Sequence, residues 1–167
     1  HQFLSSFHQL MNGLLTRIRK EKSGNVNLPG NLYNQVRIAY AFPRVISIIT
    51  VSDGQLIILF PTDLHGEVTA GYYISSLRIG GKACQQVQQF RKIVISEVDP
   101  AAHAIAYRLG INHMKDLDER LHFELATVNS SFLGLPLPAM AVRYRELEWV
   151  EYFDIGIHRL FICRELS

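Results

Sequence analysis

Two stretches of the sequence carry side chains able to bind or react. Pro61-Thr62-Asp63-Leu64-His65-Gly66 sets a hydroxyl, a carboxylate and an imidazole within four residues, directly after the apolar run Gln55–Phe60. A polar cluster at a strand end is how a barrel rim offers contacts to a ligand. The same residues also make an ordinary turn, with Asp63 capping the backbone and His65 in water. Ser75-Ser76-Leu77-Arg78-Ile79-Gly80-Gly81-Lys82 ends a strand and opens a helix. Its paired glycines let the backbone approach a ligand closely, and N–H groups at a helix start attract anions. Arg78 offers a planar fork to a phosphate and Lys82 a point charge. The plainer reading is a strand–turn–helix junction whose basic residues face water.

The single histidines are less telling. His113 follows Gly110-Ile111-Asn112, and His158 stands just past Asp154-Ile155-Gly156. Isolated histidines are more often hydrogen-bonded structural residues than catalytic bases. Cys84 and Cys163 have no metal-ligand spacing and read as buried small hydrophobes. The sequence holds no Walker loop, no G-x-G-x-x-G, no G-x-S-x-G, no H-E-x-x-H and no paired C-x-x-C. Phosphate-loop and zinc chemistry are therefore not expected, no metal ligands are assigned, and no catalytic side chain is named.

The elements that must position these residues follow from periodicity. Phe3, Phe7, Leu10, Met11, Leu14, Leu15 and Ile18 recur at steps of three and four, which predicts an amphipathic helix. Arg17, Arg19, Lys20 and Lys22 load its end, and Ser23-Gly24 stops it. The stretch Gly24–Asn34 is rich in Gly and Asn and reads as a linker. Residues 1–34 are thus a helix and linker, and 35–167 the main domain. From Val36 the period changes to that of strands: Val36–Ala41, Val45–Ser52, Gln55–Phe60, Tyr72–Ile79, Lys92–Val98, His122–Val128, Met140–Phe153 and Ile157–Glu165. Asp53-Gly54 predicts a hairpin turn. Gln-rich Lys82–Phe90 predicts a short helix, and Pro100 opens another that Gly110 closes. Asp154-Ile155-Gly156 predicts a turn. Six to seven of these runs as strands, with two small helices, argue for a mainly β fold, an antiparallel barrel with small helices.

Composition sets the outer limits. The chain has 167 residues, of which 48% are hydrophobic and 19% charged, enough for a sizeable core and against global disorder. Seventeen Lys and Arg against fifteen Asp and Glu give a net charge of +2, no sign of a nucleic-acid partner. No apolar run approaches the roughly 18 residues of a membrane span. Two cysteines suit a reducing, cytoplasmic compartment. A first residue of His1 rather than Met predicts a trimmed chain.

The order of these segments resembles the flavin reductase-like, FMN-binding split-barrel family. Phe42-Pro43-Arg44-Val45-Ile46-Ser47-Ile48-Ile49-Thr50, with Asp53-Gly54 after it, is similar to that family's opening strand and turn. Gly134-Leu135-Pro136-Leu137-Pro138-Ala139 resembles its late loop. The run from Leu147 through Gly156-Ile157-His158 to Ile162 resembles its terminal hairpin, often built on Gly-Asp-His. The similarity spans roughly Ile38–Glu165. It implies a six-stranded split barrel, usually a homodimer, binding FMN and reducing flavin with NAD(P)H. It further implies that Thr62, Asp63, Leu64 and His65 line the flavin. Arg78, Gly80, Gly81 and Lys82 fall toward its phosphate, and Ser76 and His158, the latter on the terminal hairpin, are counted among the cofactor-binding residues.

Two departures from the pattern bear on function. Leu56-Ile57-Ile58-Leu59-Phe60 stands where the family offers Asn and Ser or Thr. Gly80, Gly81, Ala83 and Cys84 stand where its phosphate turn carries hydroxyls. A flavin carrier or redox sensor, and a ligand-free interaction domain, are therefore the rival expectations.

Overall fold

The computed structural model describes residues 44–117 and 125–167, together with Met11 and Ala41. The chain divides into His1–Arg44 and Val45–Ser167. The expected N-terminal helix, linker and strand Val36–Ala41 lie outside the described residues, apart from a helical Met11 and a turn at Ala41.

Within Val45–Ser167 the order is β1 (Ser47–Ser52), β2 (Ile57–Thr62), β3 (His65–Thr69), β4 (Tyr72–Arg78), α1 (Lys82–Phe90), β5 (Lys92–Val98), α2 (His103–Leu109), β6 (Thr127–Asn129), β7 (Pro136–Pro138), β8 (Ala141–Ile155) and β9 (His158–Glu165). The main sheet runs β2-β1-β5-β8-β9-β4-β3, with every neighbour antiparallel. Strands β6 and β7 form a separate ribbon. Of the expected strand His122–Val128, the described part contributes only to β6.

The sheet is rolled around one core. Ile58 and Phe60 of β2 share a buried cluster with Tyr73 and Leu77 of β4, although the two strands lie at opposite sides of the strand order. Ala83, Cys84 and Val87 of α1 join that cluster, so the helix is fixed on its apolar face. Cys84 and Cys163 are both buried in it, and burial raises both thiols, Cys163 to about 12. A smaller cluster of Ile48, Leu59 and Leu109 seats α2 on the other face of β1 and β2.

Two expectations need correction. Among the described residues the main sheet has seven strands where the resemblance implied six, because His65–Thr69 is a strand rather than part of a rim loop. Its sequence, HGEVT, is mostly exposed and bonds to β4 alone, so it lacks the alternation that marks a half-buried strand. The helix that follows Pro100 ends where expected, with α2 stopping at Leu109 and Gly110 as its C-cap. A 3₁₀ turn, Pro100–Ala102, leads into α2, and a second, Gly110–Met114, continues from it. Gly110 stays right-handed because the turn has somewhere to dock: buried Asn112 donates from Nδ2 to the Leu59 carbonyl at 2.7 Å. Second, Asp154 and Ile155 remain in β8, leaving Gly156-Ile157 as the turn, with Gly156 at φ +61°. Asp154 is held in the strand by Arg159, whose guanidinium donates to both carboxylate oxygens at 2.7 and 2.9 Å.

Candidate functional site

The two faces of β4 have different fates. Tyr73, Ser75 and Leu77 are buried, while Tyr72, Ile74, Ser76 and Arg78 face outward. Cross-strand pairing extends the outward face. Ile74, Ser76 and Arg78 lie opposite Ile162, Leu160 and His158 of β9. Leu160 and His158 lie in turn opposite Phe153 and Ile155 of β8. Directly opposed residues share a face of the sheet. The result is an apolar floor of Ile74, Leu160, Phe153 and Ile155 with a polar margin of Ser76, Arg78 and His158. Phe153 is 47% exposed and Ile155 63%.

That margin is tied together by specific contacts. Ser76 Oγ lies 3.2 Å from His158 Nδ1. The Ser76 amide donates to the Leu64 carbonyl at 2.8 Å, bringing the β2–β3 turn alongside. Burial holds His158 below the usual histidine range, and the Arg78 charge pushes it further down; the Asp63 charge opposes them. His158 is therefore neutral near pH 7.

Beyond Arg78 the chain turns into α1. The Ile79 amide donates to the Ile157 carbonyl at 2.9 Å, and the Gly81 amide to Arg78 at 3.2 Å. Gly80 has φ +85°, which only glycine adopts without strain. A Cβ at Gly81 would meet the Arg78 carbonyl at 3.3 Å, so the second glycine is set by close approach. Gly81 is also the N-cap of α1, where it supplies no side-chain acceptor, and the first turn has no acidic residue. First-turn N–H groups have no partner within their own helix. Lys82, on the same turn, pairs with Asp116 at 2.8 Å, its side chain partly and that of Asp116 largely in water, a contact of little energy.

His65 and Thr62 belong elsewhere. His65 lies opposite Ser75, on the inner face, with its Nδ1 2.6 Å from Tyr73 Oη. Burial lowers its titration, and the Arg145 charge adds to that; the Val45 backbone, Glu97 and Asp63 act in the other direction. Arg145 stands over the Tyr73 ring at 5.2 Å and pairs with Glu67 and Glu165 at 3.0 and 3.3 Å. Thr62 is buried opposite Ser47. The structure thus gathers Ser76, Arg78, Gly80, Gly81, Lys82 and His158 on one side, flanked by Asp63 and Leu64. It sets Thr62 and His65 on the inner face. His113 is structural: its Nδ1 is 3.0 Å from the Gly110 carbonyl, and its ring packs on Phe60.

Sequence reasoning missed the apolar floor. Its signal was present as alternating apolar residues in β8 and β9, but that pattern does not say which face stays open. Chemically, the surface pairs a cationic, hydroxyl- and amide-bearing end with a flat apolar stretch. Among the described residues no His, Cys, Asp and Glu group is placed to hold a metal ion, and no helix is long and apolar enough to cross a membrane.

No protein-family model matches the chain, and no curated protein matches it in sequence. Solved structures do match in fold. The NADH:FAD oxidoreductase of Streptomyces globisporus superposes with a TM-score of 0.72 at 16% identity, covering 87% of each chain. An FMN-binding protein from Thermus thermophilus, solved with p-hydroxybenzaldehyde, gives 0.68 at 17%, covering 88% of this chain and 79% of its own. The styrene monooxygenase flavin reductase of Pseudomonas putida gives 0.66 at 18%, covering 80% and 84%. Across most of its length the chain has the fold of the flavin reductases and FMN-binding split-barrel proteins.

Proposed function

We propose that this chain binds FMN on the outer face of β4 and β9 and works as an NAD(P)H-dependent flavin oxidoreductase, a homodimer in the cytoplasm. The observation that carries the reading is the turn Arg78–Lys82 beside the Ser76–His158 pair, at the edge of an open apolar sheet face. The donor set fits a phosphate ester: two cations, a hydroxyl and helix-start amides, with no acidic residue in the first turn of α1. The flat floor fits an aromatic ring system. FMN, when bound, supplies the two-electron chemistry itself.

The side chains have separate tasks on this reading. Arg78 and Lys82 neutralise the phosphate. The α1 amides and Ser76 orient it. His158, held by Ser76, supplies a hydrogen-bonding edge beside the phosphate. Phe153 and Ile155 extend the floor and leave apolar area for a second copy of the chain to cover. The phosphate turn has no hydroxyl of its own, since Gly80, Gly81, Ala83 and Cys84 occupy it. That feature supports a second reading, a flavin carrier without turnover.

Oxidation of NADH and NADPH, followed with and without FMN, separates the two. We expect oxidation at least about tenfold above the free-flavin background, roughly 1.4 kcal/mol of transition-state stabilisation. Protein that binds FMN yet leaves the background unchanged with both donors is a carrier.

A further inference from the structure

We infer that His158 is a proton-coupled member of the anion site, taking up a proton when the phosphate docks beside Arg78. This rests on the proposed FMN reading and adds a regulation of that same site by pH.

The geometry is the argument. His158 stands directly opposite Arg78 across β4 and β9, and its Nδ1 is fixed by Ser76 Oγ at 3.2 Å. The charged groups that act on it are Arg78 from β4 and Asp63 from the β2–β3 turn; the position facing it from β8 is uncharged Ile155. With the site free, burial and Arg78 keep the ring neutral. A phosphate dianion offsets the Arg78 charge and adds a nearby negative one, and both favour the imidazolium. The proton comes from solvent and binds the ring nitrogen left without a hydrogen. The Nδ1–Ser76 contact survives, because imidazolium donates from both nitrogens and a hydroxyl accepts.

The test is calorimetric titration of FMN into the whole protein at pH 7, in two buffers of different ionisation enthalpy. Uptake of about half a proton or more per FMN is expected for the wild type. His158→Gln should reduce it to near zero, and riboflavin, without a phosphate, should show none. The phosphate's own second ionisation lies near pH 6, so its residual proton contributes little and in the opposite direction. Above pH 7 the wild-type affinity should fall by up to about tenfold per pH unit, while that of His158→Gln stays nearly flat. Ser76→Ala should retain the uptake, which excludes a purely structural effect of disturbing the pair. Equal uptake in wild type and His158→Gln overturns the inference, as does tight wild-type binding with no uptake. Failure to bind FMN in either buffer overturns the underlying FMN reading as well, and is recognised by the absence of any binding heat.

Discussion

Arg78→Ala is expected to weaken FMN binding by about 10- to 100-fold while changing riboflavin binding by no more than about threefold. Charge-assisted hydrogen bonds contribute roughly 1.5–3 kcal/mol each, and about 1.4 kcal/mol is tenfold. Only FMN carries the phosphate, so the loss must be selective if Arg78 faces it. Because Arg78 is exposed at the end of β4, its removal should leave the fold intact. Arg78→Lys should fall between, keeping the charge but losing the planar fork. Flavin-fluorescence titrations of both ligands measure the two constants. Equal losses for FMN and riboflavin would remove Arg78 from the phosphate site.

The second large effect concerns the frame rather than the site. Glu146 is fully buried, yet its carboxylate is ionised. Burial alone would raise its titration; hydroxyl and amide donors from the 130–133 turn and the Ser167 hydroxyl outweigh burial and hold it at about 2, against an ordinary 4.5. The Phe132 and Leu133 amides donate at 3.0 and 2.6 Å, and Ser131 and Ser167 Oγ at 3.2 and 2.6 Å. Glu146 thereby fixes the turn that precedes β7 to the strand that supplies Phe153 and Ile155.

The sign follows from the lowered value. Below about 2 both folded and unfolded chains carry a protonated Glu146, and it adds no pH-linked stability. Above 4.5 the contribution is complete, on the order of 3 kcal/mol. Stability should therefore be lost as pH falls from about 4.5 toward 2. Glu146→Gln should flatten the curve in that window and lower stability at pH 7 by about 2–3 kcal/mol, since one amide oxygen replaces two carboxylate acceptors. Denaturant unfolding of both proteins at several pH values measures it. Identical pH profiles would show that the carboxylate does not anchor the turn.

What the sequence reveals depends on the range of the interaction. Lys82–Phe90 and Lys92–Val98 are both legible locally, one from Gly80-Gly81 and a Gln-rich stretch, the other from the β-branched run Ile93-Val94-Ile95. The fold class followed from many such local runs. Strand β3 was hidden because it pairs on one side only and buries little. The candidate site was half legible. Thr62, Asp63 and His65 look like one cluster in sequence, but β3 and β4 register sends His65 to Tyr73 on the inner face and Ser76 to His158 on the outer. Spacing fixes proximity along the chain, whereas a face is fixed only by the partner strand. Glu146 was illegible for the same reason. It sits in the charged run Arg143-Tyr144-Arg145-Glu146, which reads as solvated until a distant turn folds over it.

The central claim, that the β4–β9 face holds FMN, is tested most directly by the visible absorption spectrum of the purified protein before and after FMN is added and the mixture desalted. The account predicts that the flavin bands co-elute with the protein, shifted from those of free FMN, and that riboflavin is retained far less. Protein that stays colourless after desalting, and leaves the fluorescence of added FMN unquenched, would contradict it.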